Sequence, residues 1–340
     1  LSIACVCWCG MADGGDANAG HSGAREQPLV IAHRGASGYA VEHTEAAKVL
    51  AHAQGADYIE QDVVLTKDRV FVVTHDTTMD ETTDVETVYP DRARADGHWY
   101  FADFTWDEVQ RLQMHERTRK GNGEQVFANR FPGSCGQRIL RLEDEIRLIQ
   151  GLDQTTGRRT GLYIELKAPS FHRKEFGESM GQLLLQTLER FDIRDASALC
   201  FIQCFEPDEL EFLHQKCECR LPLIQLLGRP VGDDALPKIA EYAVGIGPSL
   251  ELLMVRGDDG QLQSTGLVER ARAAGLKIHP YTIRRESQPR WSQSLEETHD
   301  VLLNRLRVDG FFTDYPDLGR QAVVSHTTLP TDPLQTEPGR

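Results

Sequence analysis

Short apolar or β-branched runs recur along the chain: "PLVIAH", "DYIEQDVVL", "VFVVTH", "GLYIEL", "ALCFIQCF", "LPLIQLL", "AVGIG", "LKIHPYT" and "VDGFFTD". Between most of them lie stretches whose apolar residues recur at helical spacing, such as "TEAAKVLAHAQG", "RLEDEIRLIQGL", "EFGESMGQLLLQTLERF", "EPDELEFLHQK", "TGLVERARAAG" and "LEETHDVLLNRLR". Strands alternating with amphipathic helices predict βαβ units and a parallel sheet. "VFVVTH" follows "DYIEQDVVL" after only "TKDR", too short for a helical crossover, so it is expected to return as a hairpin. The remaining eight runs make eight βα repeats, which predicts an α/β fold of the TIM (β/α)8 barrel type. A doubly wound open sheet is the alternative arrangement.

One interval breaks the rhythm. From about residue 77 to 138, after the second strand region, the chain is polar and irregular, with aromatics such as Trp99, Tyr100 and Trp106 scattered through it. An excursion of that length is more often an active-site cap than a connector. Residues 1–27 read as a signal remnant or flexible linker, 28–320 as the barrel domain, and 321–340, rich in Pro and Thr, as a flexible tail.

Composition narrows the partners. At 340 residues one barrel domain with tails accounts for the length. Asp and Glu outnumber Lys and Arg by 52 to 37, a formal net charge of -15, and the pI is near 5.3. Such a chain has no basic field for nucleic acid or anionic lipid. An anionic substrate would need a local cluster of metal ion, Arg or Lys to reverse the sign inside a cleft. The eight cysteines form no CxxC or Cys/His zinc pattern, and Cys200 and Cys204 lie in an apolar run where burial is expected. Cys217 and Cys219 are too close to be bridged to each other without strain. No segment approaches the roughly 20 apolar residues of a membrane helix. The start, "LSIACVCWCG", carries a faint lipoprotein cleavage pattern with Cys5 as the residue that would carry the lipid.

Candidate chemistry lies at the strand ends, where a barrel presents its active site. In order these are His33 and Arg34, Glu60 and Asp62, His75 and Asp76, then Glu165 and Lys167. Glu60 and Asp62 are two apart, so in a strand both point to one face. Carboxylates crowded inside a barrel repel unless a cation or proton sits between them. Three carboxylates without a thiolate suit a hard divalent ion over zinc. Gly35 and Gly38 would let the backbone turn tightly beside an anion, and Thr44 is a predicted N-cap for a helix from about Glu45.

These residues carry a family resemblance. "HRGASGYAVEHT", "IEQDVVLTKDRVFVVTHD" and "YIELKAP" resemble the signature blocks of the glycerophosphodiester phosphodiesterases, a family of TIM barrels, and the likeness runs through "FIQCFEPDEL", "EYAVGIGP", "KIHPYTIR" and "DGFFTDYP". It is strongest toward the periplasmic bacterial members, which share the long insertion, and so implies a periplasmic or extracellular location, as a lipoprotein if Cys5 is lipidated. The resemblance implies hydrolysis of glycerophosphodiesters such as glycerophosphocholine to sn-glycerol 3-phosphate and an alcohol. By it, His33 and His75 match the acid/base pair, Glu60, Asp62 and Glu165 the ligands of one divalent ion, Ca²⁺ ahead of Mg²⁺, and Arg34 and Lys167 the phosphate-binding cations. Glu42 matches a further acidic residue close to the metal, here preceded by Val41 where the family has Pro. Phe205 and Tyr281, at the ends of later strands, are candidates for the wall against the glycerol backbone or for ordinary core aromatics. His43 takes a supporting part. Attack by water and attack by the glycerol 2-hydroxyl through a cyclic phosphate both stay open, as does which histidine is the base. Two other readings compete: a phospholipase D of the sphingomyelinase type, which needs an apolar rim for lipid entry, and a surface lipoprotein that binds another protein.

Overall fold

The computed structural model describes residues 27–131 and 136–328. The expected lipid site at Cys5, the linker through residue 26, Cys135 and the tail beyond 328 lie outside the described residues. In chain order the elements are β1 (Leu29–Ala32), α1 (Glu45–Ala53), β2 (Tyr58–Leu65), β3 (Phe71–Val73), α2 (Val85–Val88), α3 (Trp106–Val109), α4 (Leu142–Thr156) and β4 (Gly161–Leu166). There follow α5 (Pro169–Phe176), α6 (Met180–Glu189), β5 (Cys200–Cys204), α7 (Pro207–Gln215), β6 (Leu223–Leu227), α8 (Ala235–Ile239) and β7 (Gly245–Pro248). The last are β8 (Met254–Arg256), β9 (Leu262–Ser264), α9 (Leu267–Ala273), β10 (Lys277–Ile278), α10 (Leu295–Asp300), β11 (Gly310–Thr313) and α11 (Pro316–Thr328).

Eight parallel strands run in the order β10, β7, β6, β5, β4, β2, β1, β11, so each neighbours its successor in the chain and the last lies beside the first. The circle nearly closes: between β10 and β11 the Asp309 amide donates to the Ile278 carbonyl at 3.0 Å and the Phe312 amide to the Pro280 carbonyl at 3.0 Å. This is a TIM-like barrel, and the open doubly wound alternative is set aside. β3 pairs antiparallel with β2, Val63 opposite Val73 and Leu65 opposite Phe71, as the four-residue connection requires. The hairpin of β8 and β9 was not legible, because each strand is three residues long and largely exposed beyond Met254.

Helix α4 shows how the outer layer forms. Leu142, Ile146 and Ile149 fall on one stripe and are buried, Glu143, Asp144 and Glu145 occupy the first turn where the helix dipole favours acids, and Gly157 ends the helix at φ 70°. Thr44 caps α1 as expected, its hydroxyl accepting from the Ala47 amide. Gly35, at φ 83°, leaves no room for a side chain: a Cβ would lie 2.7 Å from the Ala47 carbonyl carbon, and one on Gly38 would lie 2.3 Å from the Tyr315 ring. Packing thus accounts for both glycines of the first turn.

Two expectations are corrected. The boundary at 320 falls inside α11, which runs to Thr328 because Val323 is fully buried and Ala322 packs against the barrel's outer core. The insertion is more than a polar cap: Met79, Trp99, Phe101, Phe104, Leu112 and Met114 form an apolar core of their own, seated on Val64 and Val72 of the β2–β3 extension. Its elements are single turns, too short for any hydrophobic period to emerge.

At the bottom of the barrel, Gly161 faces the Tyr58 ring, and an added Cβ would come within 2.2 Å of it and 2.7 Å of the Leu199 carbonyl. Gly161→Ala is therefore expected to destabilise the fold by about 1–3 kcal/mol in urea unfolding. Gly151→Ala, on an open face of α4, should stabilise it by about 0.4–1 kcal/mol.

Candidate active site

The strand ends converge on a cavity of about 230 Å³ at the C-terminal mouth of the barrel. Its wall includes His33, Arg34, Glu60, His75, Glu165 and Lys167, so residues spread over more than 130 positions of chain meet in one place. Parallel pairing explains how. Asp62 stands opposite Glu165 in the β2–β4 ladder, and the period of two brings Glu60 to the same face as Asp62. Beyond the barrel, β2 continues into the β3 hairpin, which carries His75 back over the mouth.

Each imidazole is gripped by a carboxylate through Nδ1. His33 Nδ1 lies 2.6 Å from Asp314 Oδ1, and His75 Nδ1 lies 2.7 Å from Asp76 Oδ1. With Nδ1 donating to the carboxylate, the lone pair of a neutral ring sits on Nε2. Burial, then the charge of Arg34, lowers the His33 pKa to about 4 against the opposing pull of Asp314. Burial, Arg34 and Lys167 lower His75 as well. A ring held in this way accepts a proton at Nε2 when neutral and donates one from Nε2 when protonated.

The carboxylates form a buried group. His43, Glu60 and Asp62 each offer a ligand atom, all within 4.8 Å of one another, and such a group can hold a metal ion. Within it, Lys48 Nζ lies 3.4 Å from His43 Nδ1, so the proton of the neutral ring sits on Nε2 and is donated to Asp62 Oδ2 at 2.9 Å. His43 therefore orients Asp62. Glu165 lies beside Asp62 and binds the Lys167 ammonium at 2.5 Å; Lys167 Nζ is also 3.6 Å from Asp62 Oδ1. Burial and the neighbouring Asp62 push Glu60 well up, and burial together with Asp62 raises Glu165 to about 7 in spite of Lys167. Against burial, Lys167, His75, the His43 bond and Arg34 hold Asp62 well below the carboxylate range. Asp62 Oδ1 is buried without a hydrogen bond. Crowded oxygen donors, one of them with a lone pair unused, fit a hard cation such as Ca²⁺ or Mg²⁺.

The remaining expected residues divide. Arg34 adopts φ 58°, which turns its amide onto Glu60 Oε2 at 2.6 Å while its guanidinium reaches Glu42 at 2.9 Å and Asp62 at 3.4 Å. Glu42 is clasped between Arg34 and Arg117, so both its oxygens are already engaged. Phe205 and Tyr281 both line the cavity, their rings edge to face at 5.8 Å. Sequence reasoning did not single out Asp314, Arg117, Arg130, Arg284 or Gln203. Asp314 follows β11 in "FFTDYP", so the strand-end rule would have found it; Gln203 and the arginines gave no ionisable-pair signal.

A family model, the glycerophosphoryl diester phosphodiesterase family, matches residues 33–318. The chain belongs to this family. It is 35% identical over 326 residues to a glycerophosphodiester phosphodiesterase of Haemophilus influenzae, covering 87% of this chain and 89% of that one. Among solved structures, a glycerophosphoryl diester phosphodiesterase of Silicibacter pomeroyi superposes with a TM-score of 0.66 at 22% identity, over 88% of this chain and 95% of that one. An Oleispira antarctica phosphodiesterase in complex with the product sn-glycerol-3-phosphate gives 0.60 at 21% identity, over 88% and 97%. The protein is thus a glycerophosphodiester phosphodiesterase by family, a phosphoric diester hydrolase. Phosphodiester cleavage explains why a chain of net charge -15 gathers Arg34, Lys167 and Arg284 around one cavity.

Ca²⁺ or Mg²⁺ added to the chelator-treated protein is expected to raise its Tm, by the equivalent of about 2.7 kcal/mol at a free ion concentration 100 times Kd. Glu60→Gln keeps the shape and an acceptor for the Arg34 amide, so its chelated Tm should stay near wild type while the ion-dependent rise shrinks or disappears. No rise in the wild type would contradict a cation site among these carboxylates.

Proposed function

We propose that the enzyme hydrolyses glycerophosphodiesters, deacylated phospholipids such as glycerophosphocholine, to sn-glycerol 3-phosphate and the free alcohol. The observation that carries this reading is the meeting of two carboxylate-bound imidazoles, the cationic side chains of Arg34 and Lys167 and a buried carboxylate group around one cavity of about 230 Å³. The product bound to the Oleispira antarctica relative supports the glycerol 3-phosphate end of the substrate.

Arg34 and Lys167 line the cavity and bind the phosphate oxygens. The oxygens of Glu60, Asp62 and Glu165 would hold one divalent ion, Ca²⁺ before Mg²⁺ on the count of hard donors. When bound, that ion supplies charge neutralisation of the phosphoryl group and of the oxygens being exchanged. His33 and His75 then share the proton work through Nε2: one takes the proton of the attacking hydroxyl and the other returns one to the departing alkoxide. Phe205 and Tyr281 form the apolar wall against the glycerol carbons. Gln203 Oε1, buried and without a hydrogen bond, faces the same cavity and is free to accept from a glycerol hydroxyl.

The distribution of apolar surface favours a water-soluble substrate over an intact lipid. Among the described residues, the exposed large apolar side chains are dispersed, and of these Phe205 alone lines the cavity. A phospholipase would need a contiguous apolar rim at the mouth.

Purified protein is expected to release glycerol 3-phosphate from glycerophosphocholine, to lose that activity in EDTA and to regain it with Ca²⁺ or Mg²⁺. His33→Ala and His75→Ala should each lower kcat on the order of 10² to 10⁴-fold. Phe205→Ala should act mainly on KM. No glycerol 3-phosphate from the wild type, or choline released in preference from a lysophospholipid, would overturn the assignment.

A further inference from the structure

Two arginines of the insertion reach the site without touching its cavity. Arg117 donates through Nη1 to Asp76 Oδ2 at 2.6 Å, and the other oxygen of Asp76 holds His75 Nδ1 at 2.7 Å. Arg130 donates through Nη2 to Asp314 Oδ2 at 2.5 Å, and the other oxygen of Asp314 holds His33 Nδ1 at 2.6 Å. The two chains have one design: guanidinium, one carboxylate oxygen, the second carboxylate oxygen, imidazole. The Arg130 side chain is buried and that of Arg117 mostly so, at 3% and 12% exposure.

They also lie on one piece of backbone. Thr118 bridges Gln125 in antiparallel fashion, and the Val126 amide donates to the Arg117 carbonyl at 2.9 Å. Arg117 thus stands at the closed neck of this loop, and Arg130 follows four residues beyond its other side, where its amide donates to the Phe127 carbonyl at 3.1 Å. Other contacts hold the loop in place: Arg117 also binds Glu42 and Glu81, and Arg130 also binds Glu286 and the Ser37 carbonyl. Asp314 receives Arg284 from the barrel side at 3.0 Å, whereas Arg117 is the guanidinium that secures Asp76.

We propose that this loop of the insertion is a positioning element that aims both catalytic imidazoles at once, Arg117 through Asp76 and Arg130 through Asp314. A carboxylate free to rotate would accept from other donors and let its imidazole swing or change tautomer. A guanidinium bound to its outer oxygen leaves the inner one fixed for Nδ1. The relative placement of acid and base is then set by one segment outside the barrel, which makes the insertion part of the catalytic apparatus. This inference rests on the acid/base assignment of His33 and His75.

The test uses the full chain with glycerophosphocholine. Arg117→Met and Arg130→Met should each lower kcat on the order of 10- to 100-fold, as loss of a ligand-orienting partner does, with KM little changed. Arg117→Met should add little to Asp76→Asn, and Arg130→Met little to Asp314→Asn, because each pair acts as one unit. Arg117→Met combined with Asp314→Asn should multiply. Nitrogen-15 spectra of the labelled histidines should show loss of the fixed Nδ1–H form of His75 in Arg117→Met. Arg138→Met is the control, since Arg138 donates to the Arg111 carbonyl at 2.6 Å in the same insertion and touches neither carboxylate; it should lose stability and keep kcat. Unchanged kcat in both arginine variants, or losses that multiply fully with those of their own carboxylate partners, would overturn the proposal. If Arg130→Met does not fold, the Arg117–Asp76 cycle and the His75 spectrum decide. His33→Ala and His75→Ala run alongside: activity retained in these removes the acid/base assignment itself, whereas activity lost in these and kept in the arginine variants removes only the role of the loop.

Discussion

The constraint on which the rest depends is the crowding of like charge at buried positions. Glu60 and Asp62 are fully buried and Glu165 nearly so, at 1%, 1% and 7% exposure. Buried carboxylates this close are unfavourable unless opposite charge is supplied within a few ångströms. The barrel supplies it in place: Lys167 on Glu165 and Asp62, Arg34 on Asp62 and Glu42, and the Lys48 ammonium beneath, bound to Glu145 at 2.9 Å and to the Glu60 carbonyl. The cations that offset this charge at the mouth, Arg34 and Lys167, are thus the ones that line the cavity.

Around that group the protein builds orientation in layers. Asp76 and Asp314 fix the two imidazoles, and they are themselves held as anions against the cost of burial. For Asp76 the opposing forces are His75 and Arg117, and for Asp314 they are Arg284, His33 and Arg130. His43 does the same for Asp62 from the side of α1. The side chains that would meet substrate therefore come from the barrel, while the groups that hold them come from α1, from the last strand and from the insertion.

Which of this was legible in the chain follows from the same physics. Apolar runs separated by amphipathic stretches sufficed for the barrel, because buried parallel strands and their covering helices impose long, regular patterns. The rim residues were legible because an ionisable pair at the end of an apolar run has few structural uses, and His33, Arg34, Glu60, Asp62, His75, Glu165 and Lys167 all come to one place. Arg117 and Arg130 were not legible. Their partners Asp76 and Asp314 lie 41 and 184 residues away, and nothing local distinguishes them from solvated charges in an acidic, irregular segment. The insertion's apolar core was hidden for a related reason, since Trp99, Phe101 and Phe104 are packed by single turns that carry no period. Glu42 shows the converse: its position was readable, but its engagement by two arginines was not.

The most direct test is a crystal structure of the protein grown with a divalent ion and sn-glycerol 3-phosphate. The expected result is one ion among the oxygens of Glu60, Asp62 and Glu165, the phosphate on Arg34 and Lys167, and His33 and His75 Nε2 facing it from two sides. A phosphate bound elsewhere, or an ion that bypasses these three carboxylates, would contradict it.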